Sequence, residues 1–315
     1  MSPTLDISIV VSVYNEAEGL AHFWDELKKQ LSSDPNSYEV IFVNDGSLDG
    51  SVQKLETIYQ SQKPSNVSVK LIEFSKNFGH ESAMIAGIDH SSHGAIICMD
   101  ADLQHPVEKI QELVNAYKSG HDIVLTKRMS RADNGMMKNL LSRTFYSLLN
   151  SVSDLKFSSN STDFFLISAQ VAGILKENFR DRNRFIRGFI QQIGFNSTTV
   201  NFDAPARAFG ESSYSLKQLF SLAVGAVFAY SNKPLRISIL LSIVFILFTL
   251  ALAVYSLYEY FNGDTPPSGY TTIIIFLSAS FSALFVVIAI LSMYFEKALI
   301  EQRNRPIYIV KKVLD

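Results

Sequence analysis

The chain has 315 residues, 47% of them hydrophobic and 18% charged, with a mean hydropathy of +0.14. Its formal net charge of −2, from 28 Lys and Arg against 30 Asp and Glu, gives no case for wholesale nucleic-acid binding, which would need a basic domain. A single cysteine, Cys98, excludes an intrachain disulfide, and its place in an apolar run predicts a buried thiol.

Met1–Asp6 lacks a basic start followed by an apolar stretch, so no signal peptide is read and the first domain is expected in the cytoplasm. Ile7–Val13 predicts a buried strand, and Leu20, Phe23, Leu27 and Leu31 share one helical face after it. Further strands are predicted at Glu39–Val43, Val69–Phe74, Ala95–Met99 and Asp122–Leu125, with a helix through Val52, Leu55 and Ile58. Strands alternating with helices predict an α/β fold, a mainly parallel sheet covered by helices.

Polar clusters follow each of these strands: Tyr14-Asn15-Glu16, Asn44-Asp45-Gly46-Ser47, Lys76 to Glu81, Asp100 to Gln104, and Lys127-Arg128. The C-terminal ends of parallel strands are where such sheets bind ligands. Asp100-Ala101-Asp102 ends a buried strand with alternate carboxylates, hard oxygen donors suited to Mg²⁺ or Mn²⁺; the plainer alternative is a solvated turn. Asp45 stands where a carboxylate commonly holds a nucleoside. The alternative is a helix N-cap, although Ser47 or Asp49 could supply that cap. Neither a Gly-x-Gly-x-x-Gly after the first strand nor a P-loop is present. The six histidines show no zinc-ligand spacing, but His80 and His105 lie inside the polar clusters as candidate substrate contacts.

Two amphipathic stripes come next. Met137 to Leu149 fits either core packing or the membrane interface, and Leu216 to Phe228 reads as interfacial because it runs on toward the apolar segments. Leu235–Tyr258 is apolar except for Arg236, and Thr271–Tyr294 has no charged residue. Each exceeds the roughly 20 residues that cross a bilayer core. Lys233 and Arg236 precede the first segment, and Lys297, Arg303, Arg305, Lys311 and Lys312 follow the second. The connection carries Glu259 and Asp264 but no Lys or Arg, so the positive-inside rule places both chain ends in the cytoplasm. The expected organisation is a catalytic domain over 1–214, an interfacial helix over 215–233, a transmembrane hairpin over 234–295 and a basic cytoplasmic tail over 296–315, all at the plasma (inner) membrane.

Val13-Tyr14-Asn15-Glu16, Val43-Asn44-Asp45-Gly46-Ser47, Asn77-Phe78-Gly79-His80-Glu81 and Asp100-Ala101-Asp102-Leu103-Gln104-His105-Pro106 together resemble the family 2 glycosyltransferases. Within them the chain is similar to the dolichol-phosphate mannose synthase group and its bacterial, GtrB-like branch of polyprenyl-phosphate glycosyltransferases. The resemblance implies a GT-A fold, a divalent metal, inversion at the anomeric carbon, a nucleotide-sugar donor (UDP- or GDP-linked), a polyprenyl-phosphate acceptor (undecaprenyl phosphate foremost) and a homo-oligomer. It makes Asp102 the principal metal ligand, with Asp100 and Gln104 assisting at the metal or ribose. Tyr14, Asn15, Glu16, Asp45, Asn77, Gly79 and Asp100 become candidate donor contacts.

Looser matches supply the candidate catalytic residues Asp163, Arg184 and Arg207. Asn160–Leu166 resembles a Gly-Asp-Phe-Arg-Leu segment whose Asp is assigned to catalysis, with Thr162 for Gly and Phe165 for Arg. Arg182–Gly188 and Arg207–Tyr214 resemble further family segments, the latter with Ser213 in place of Lys. Arg131, Arg143, Arg182, Arg184 and Arg187 are candidates to restore the lost positive charge. Asp163 is open to two functional readings, a base or an organiser of arginines, and to a structural one, a helix N-cap.

A processive polysaccharide synthase would carry Gln-x-x-Arg-Trp, and the only tryptophan is Trp24. A sugar nucleotidyltransferase would open with a Gly-rich, Arg-containing loop, absent after the first strand. A non-catalytic membrane scaffold on a nucleotide-binding fold is the remaining alternative, and Asp100, Asp102 and Asp163 argue against it.

Overall fold

The computed structural model describes residues 4–129, 161–181, 186–203, 233–262 and 269–315. All five expected strands form: β1 (Asp6–Val13), β2 (Ser37–Asn44), β3 (Val67–Phe74), β4 (Ala95–Asp100) and β5 (Ile123–Arg128). They join β6 (Ser161–Ser168), β7 (Ser197–Phe202) and β8 (Val310–Leu314) in one sheet of order β7-β5-β6-β4-β1-β2-β3-β8. β4, β1, β2 and β3 run parallel, whereas β6 lies antiparallel between β4 and β5, and β8 runs antiparallel to β3.

Side chains alternate across the sheet, as strand geometry requires. Ile7, Ile9, Val11 and Val13 share one face with α1 (Leu20–Ser32), α2 (Ser51–Gln60) and α4 (Ile110–Lys118). The opposite face takes α3 (His80–Asp89), which packs on β1 and β2; α5 (Ala169–Asn178) packs against α3, and α6 (Ile186–Ile193) against α5. α3 sits so close to β1 that a Cβ on Gly87 would lie 2.9 Å from Val10 Cγ2 and nearer still to Cγ1. Cys98 is free and fully buried.

Two expectations change. Asp163 lies within strand β6, not at a helix N-cap; the cap that follows is Ser168, whose hydroxyl accepts from the Val171 amide. Residues 310–314, read from the sequence as part of a basic tail, form β8 with Leu314 opposite Leu71 and Val313 opposite Ile72.

The chain divides into two compact units. One holds the sheet, its helices and Arg305–Asp315; the other holds α7 (Lys233–Asn262) and α8 (Tyr270–Gln302). Both helices are long and apolar enough to span a bilayer, and almost none of either is buried. Ile246, Leu250, Ile275 and Phe285 are among the exposed side chains, the reverse of what a core helix shows. The amphipathic stripes at 137–149 and 216–228 lie outside the described residues.

Candidate functional site

The site is built at the C-terminal end of the parallel strands. Ser12 of β1 is in register with Asp100 of β4. On β6, Phe165 pairs with Cys98, and the same strands continue to Asp163 and Asp100. Ser12 Oγ donates to Asp100 Oδ1 at 3.0 Å. The N-terminus of α3 adds His80, whose Nδ1 is 2.9 Å from Ser12 Oγ. Its Nε2 lies 3.4 Å from Asp100 Oδ1 and 3.6 Å from Asp163 Oδ2. Burial opposes protonation of this imidazole, but the Asp100 and Asp163 carboxylates outweigh it and raise it to about 9.

α6 supplies Arg187, with Nε 2.9 Å from Asp163 Oδ1. Burial works against ionisation of Asp163, yet His80 and Arg187 hold it below the ordinary carboxylate value. Glu81 is the counterweight. Burial and the Asp163 charge push its carboxyl up to about 7, although it accepts the Ile186 amide at 3.0 Å.

The Asp100–Gln104 turn is braced from below. The Asp100 amide donates to His105 Nδ1 at 3.0 Å, so that nitrogen carries no proton and its 3.8 Å approach to Asp100 Oδ2 is not an ion pair. His105 is buried and stacks on Phe164 at 5.3 Å, which fixes the turn. Asp102 Oδ1 accepts the Gln104 amide at 3.0 Å, with Leu103 between them at φ 60°. Gln104 Oε1 accepts from Arg128 Nη2 at 3.0 Å.

Asp45 is buried, and its two oxygens accept the amides of Phe78 (2.6 Å) and Gly79 (2.9 Å). Burial outweighs these bonds and leaves its pKa raised. It caps the turn into α3, not α2, where Asp49 accepts the Ser51 and Ala17 amides. Asn15, at φ 55°, donates its amide to Ser47 and accepts from Leu48, and the Glu16 amide donates to Ser51. Asn15, Glu16 and Asp45 thus lock three loops together. Tyr14 and Asn77 stay exposed beside them, and Gly79 has φ 96°. Thr162, where the family segment has Gly, bonds the Thr126 hydroxyl, and Phe165, where it has Arg, is fully buried.

Asp100 and Asp163 are brought together with Ser12, His80 and Arg187. Arg131, Arg143, Arg182, Arg184 and Arg207 lie outside the described residues. Ser12 had no sequence signal as a site residue, because only the β1–β4 register places it beside Asp100. Among the described residues no three His, Cys, Asp or Glu side chains form a ready-made metal cage.

Comparison with known proteins identifies the family of the chain. The family model described as "Glycosyl transferase family 2" matches residues 8–173, more than half of the chain. "Uncharacterized glycosyltransferase YkcC" of Bacillus subtilis (strain 168) is 31% identical over 99% of this chain and 95% of that protein. The "SfII prophage-derived bactoprenol glucosyl transferase" of Shigella flexneri is 31% identical over 98% of both chains. The "Prophage bactoprenol glucosyl transferase homolog" of Escherichia coli (strain K12) is 30% identical over 98% of this chain and 99% of that protein. On the match over residues 8–173 and on relatives aligned almost end to end, the chain belongs to glycosyl transferase family 2.

Proposed function

We propose that this glycosyltransferase moves one sugar, with inversion, from a UDP- or GDP-sugar to a polyprenyl phosphate at the cytoplasmic face of a membrane. The observation that carries the reading is the pair of carboxylates on neighbouring strands, Asp100 and Asp163, held with His80 and Arg187 in a chain that also has two exposed, bilayer-length apolar helices. The names of the Shigella and Escherichia relatives, bactoprenol glucosyl transferases, support the acceptor class. The membrane hairpin is supported by connectivity. β7, before α7, and β8, after α8, belong to one sheet, so a double crossing returns to the side it left.

The donor set fits a divalent cation, Mg²⁺ or Mn²⁺. Asp100 and Asp102 offer hard carboxylate oxygens at the end of β4. Such an ion would supply charge neutralisation for a departing diphosphate. Tyr14 and Asn77 stand exposed at the mouth as donor contacts. Asp45, Asn15 and Glu16 act by holding those loops in place.

A phosphate monoester has its second pKa near ~6, so the acceptor is already an anionic nucleophile at neutral pH. It needs orientation and charge balance more than a base. Asp163 is accordingly an organiser: one oxygen lies against Arg187 and the other against His80. Arg187, held against Asp163, is then a described cation available to the acceptor phosphate.

The test is turnover of a panel of UDP- and GDP-sugars by purified protein with undecaprenyl phosphate, read by mass spectrometry of the lipid. One donor should yield a monoglycosylated lipid phosphate, and phosphate-free undecaprenol should yield none. Equal transfer to the free alcohol, or no donor consumed at all, overturns the proposal.

A further inference from the structure

The segment after the second apolar helix grips the site loop from behind. α8 ends at Gln302, and the chain rejoins the sheet at β8. Between them, the Ile309 carbonyl accepts the Ser75 amide at 3.0 Å, at the first residue of the β3–α3 loop. The Tyr308 ring stacks on Phe74 at 5.2 Å with 10° between planes. Phe74 in turn meets Phe78 edge to face at 5.7 Å. Phe78 is the residue whose amide, with that of Gly79, is fixed by Asp45. His80 follows directly and is the side chain that reaches Asp100 and Asp163.

The same tyrosine holds the other end of α3. Its hydroxyl donates to Asp89 Oδ2 at 2.7 Å, and Asp89 is the last residue of the helix that His80 begins. Arg180 completes the node with two bonds to Asp89, at 2.9 and 3.0 Å, from the segment that leads into α6 and Arg187. Burial, followed by the Asp89 contact, pushes the Tyr308 phenol above its ordinary value, so it stays a donor.

We propose that Tyr308 is a positioning residue: its ring, acting through Phe74 and Phe78, sets the loop that carries Asn77, Gly79 and His80. A short strand needed only to cover the β3 edge would not require an aromatic side chain stacked behind that loop. Stacked and edge-to-face aromatic pairs contribute beyond their burial, enough to bias a loop between two arrangements. The kinetic part of this inference rests on the sugar-transfer reading; the structural part does not.

The experiment uses the full chain in detergent or nanodiscs, with Tyr308→Ala and Tyr308→Phe. Hydrogen exchange is followed over residues 74–82 and, as a control, over α4 on the opposite face. Tyr308→Ala should speed exchange at 74–82 by about tenfold, a local opening that leaves α4 unchanged. Tyr308→Phe keeps the ring and should return exchange to within about twofold of wild type. Turnover should follow the same order, falling roughly tenfold in Tyr308→Ala, since small misplacements of a site cost that much. Unchanged exchange at 74–82 in Tyr308→Ala, equal acceleration in α4, or Tyr308→Phe behaving as Tyr308→Ala would each overturn the proposal. If wild type transfers no sugar, the sugar-transfer reading fails, and the exchange measurement still decides the role of Tyr308.

Discussion

Arg187 Nε lies 2.9 Å from Asp163 Oδ1, joining α6 to β6 at the point where β6 runs beside Asp100. Both side chains are mostly buried, at 22% and 19% exposure. A charge pair so placed is costly to break, because the surviving partner is left unpaired in a poor solvent for charge. His80 takes the other Asp163 oxygen at 3.6 Å, so removing Arg187 would leave Asp163 with His80 as its ion-pair partner among the described residues.

Arg187→Gln is therefore expected to lower turnover by about 100-fold, the usual cost of removing one preorganised charge donor. Arg187→Lys keeps the charge but loses the planar fork, and is expected to lose about tenfold. Steady-state kinetics on protein with wild-type thermal unfolding make the comparison. A Gln variant within about twofold of wild type would confine the pair to a structural role.

The metal assignment makes a separate prediction. Asp102→Ala should reduce transfer by about 1000-fold or more, the several kcal/mol that a charge-neutralising ion supplies, without altering membrane insertion. Chelation of wild type should have the same effect and should be reversed by Mg²⁺ or Mn²⁺. Near-normal turnover of the variant, measured as lipid product, would refute the assignment of Asp102.

Much of the sheet was legible because β1, β2 and β4 are largely apolar runs buried on both faces, a pattern that survives without tertiary context, while β3 alternates buried and more exposed positions. The three strands not foreseen have physical reasons for their silence. β6 opens with Ser161-Thr162-Asp163, polar residues that break the apolar pattern by which a core strand is read. β7 is an edge strand with alternating exposure, and β8 carries Lys311 and Lys312, charges of the kind that protect sheet edges. Site residues with a carboxylate at a strand end, Asp100 and Asp102, could be read from spacing. Ser12 could not, since its role depends on register with β4, and Arg187 was one of several arginines until α6 placed it against Asp163. The bonds Asp45 makes to the Phe78 and Gly79 amides had no sequence signal either, because the turn it holds leads into a helix one strand further on.

Gly46 tests how tightly that turn is packed. It sits at φ +66°, and a Cβ there would lie 2.8 Å from Lys76 Cα and nearer still to its carbonyl carbon. Left-handed backbone costs a residue with a side chain roughly 1–2 kcal/mol, and overpacking against fixed backbone adds about 1–3 kcal/mol. Gly46→Ala should lower thermal stability measurably and loosen the Asp45 bonds to Phe78 and Gly79. An unchanged unfolding midpoint would show that the β3–α3 loop yields more readily than this contact implies.

Glu39 gives the pH prediction, far from any candidate metal ligand. It is buried in β2, accepts from Ser8 Oγ at 2.7 Å and from the Ser92 amide and hydroxyl, and lies 3.4 Å from Lys70 Nζ. Burial alone would raise its pKa, but Ser8, Ser92 and Lys70 together prevail and lower it below 4.5. A carboxyl whose folded pKa is depressed contributes stability above its unfolded value and loses it as pH falls through the folded value. Glu39→Gln should thus be less stable than wild type at neutral pH by about 1–3 kcal/mol, the range for hydrogen bonds to a charged group. The gap should narrow as the medium is acidified below pH 4.5, where wild-type Glu39 takes up its proton. Denaturant unfolding of both proteins across that range decides it: a gap that stays constant into acid would mean that the ionised carboxylate is not what Ser8 and Ser92 stabilise.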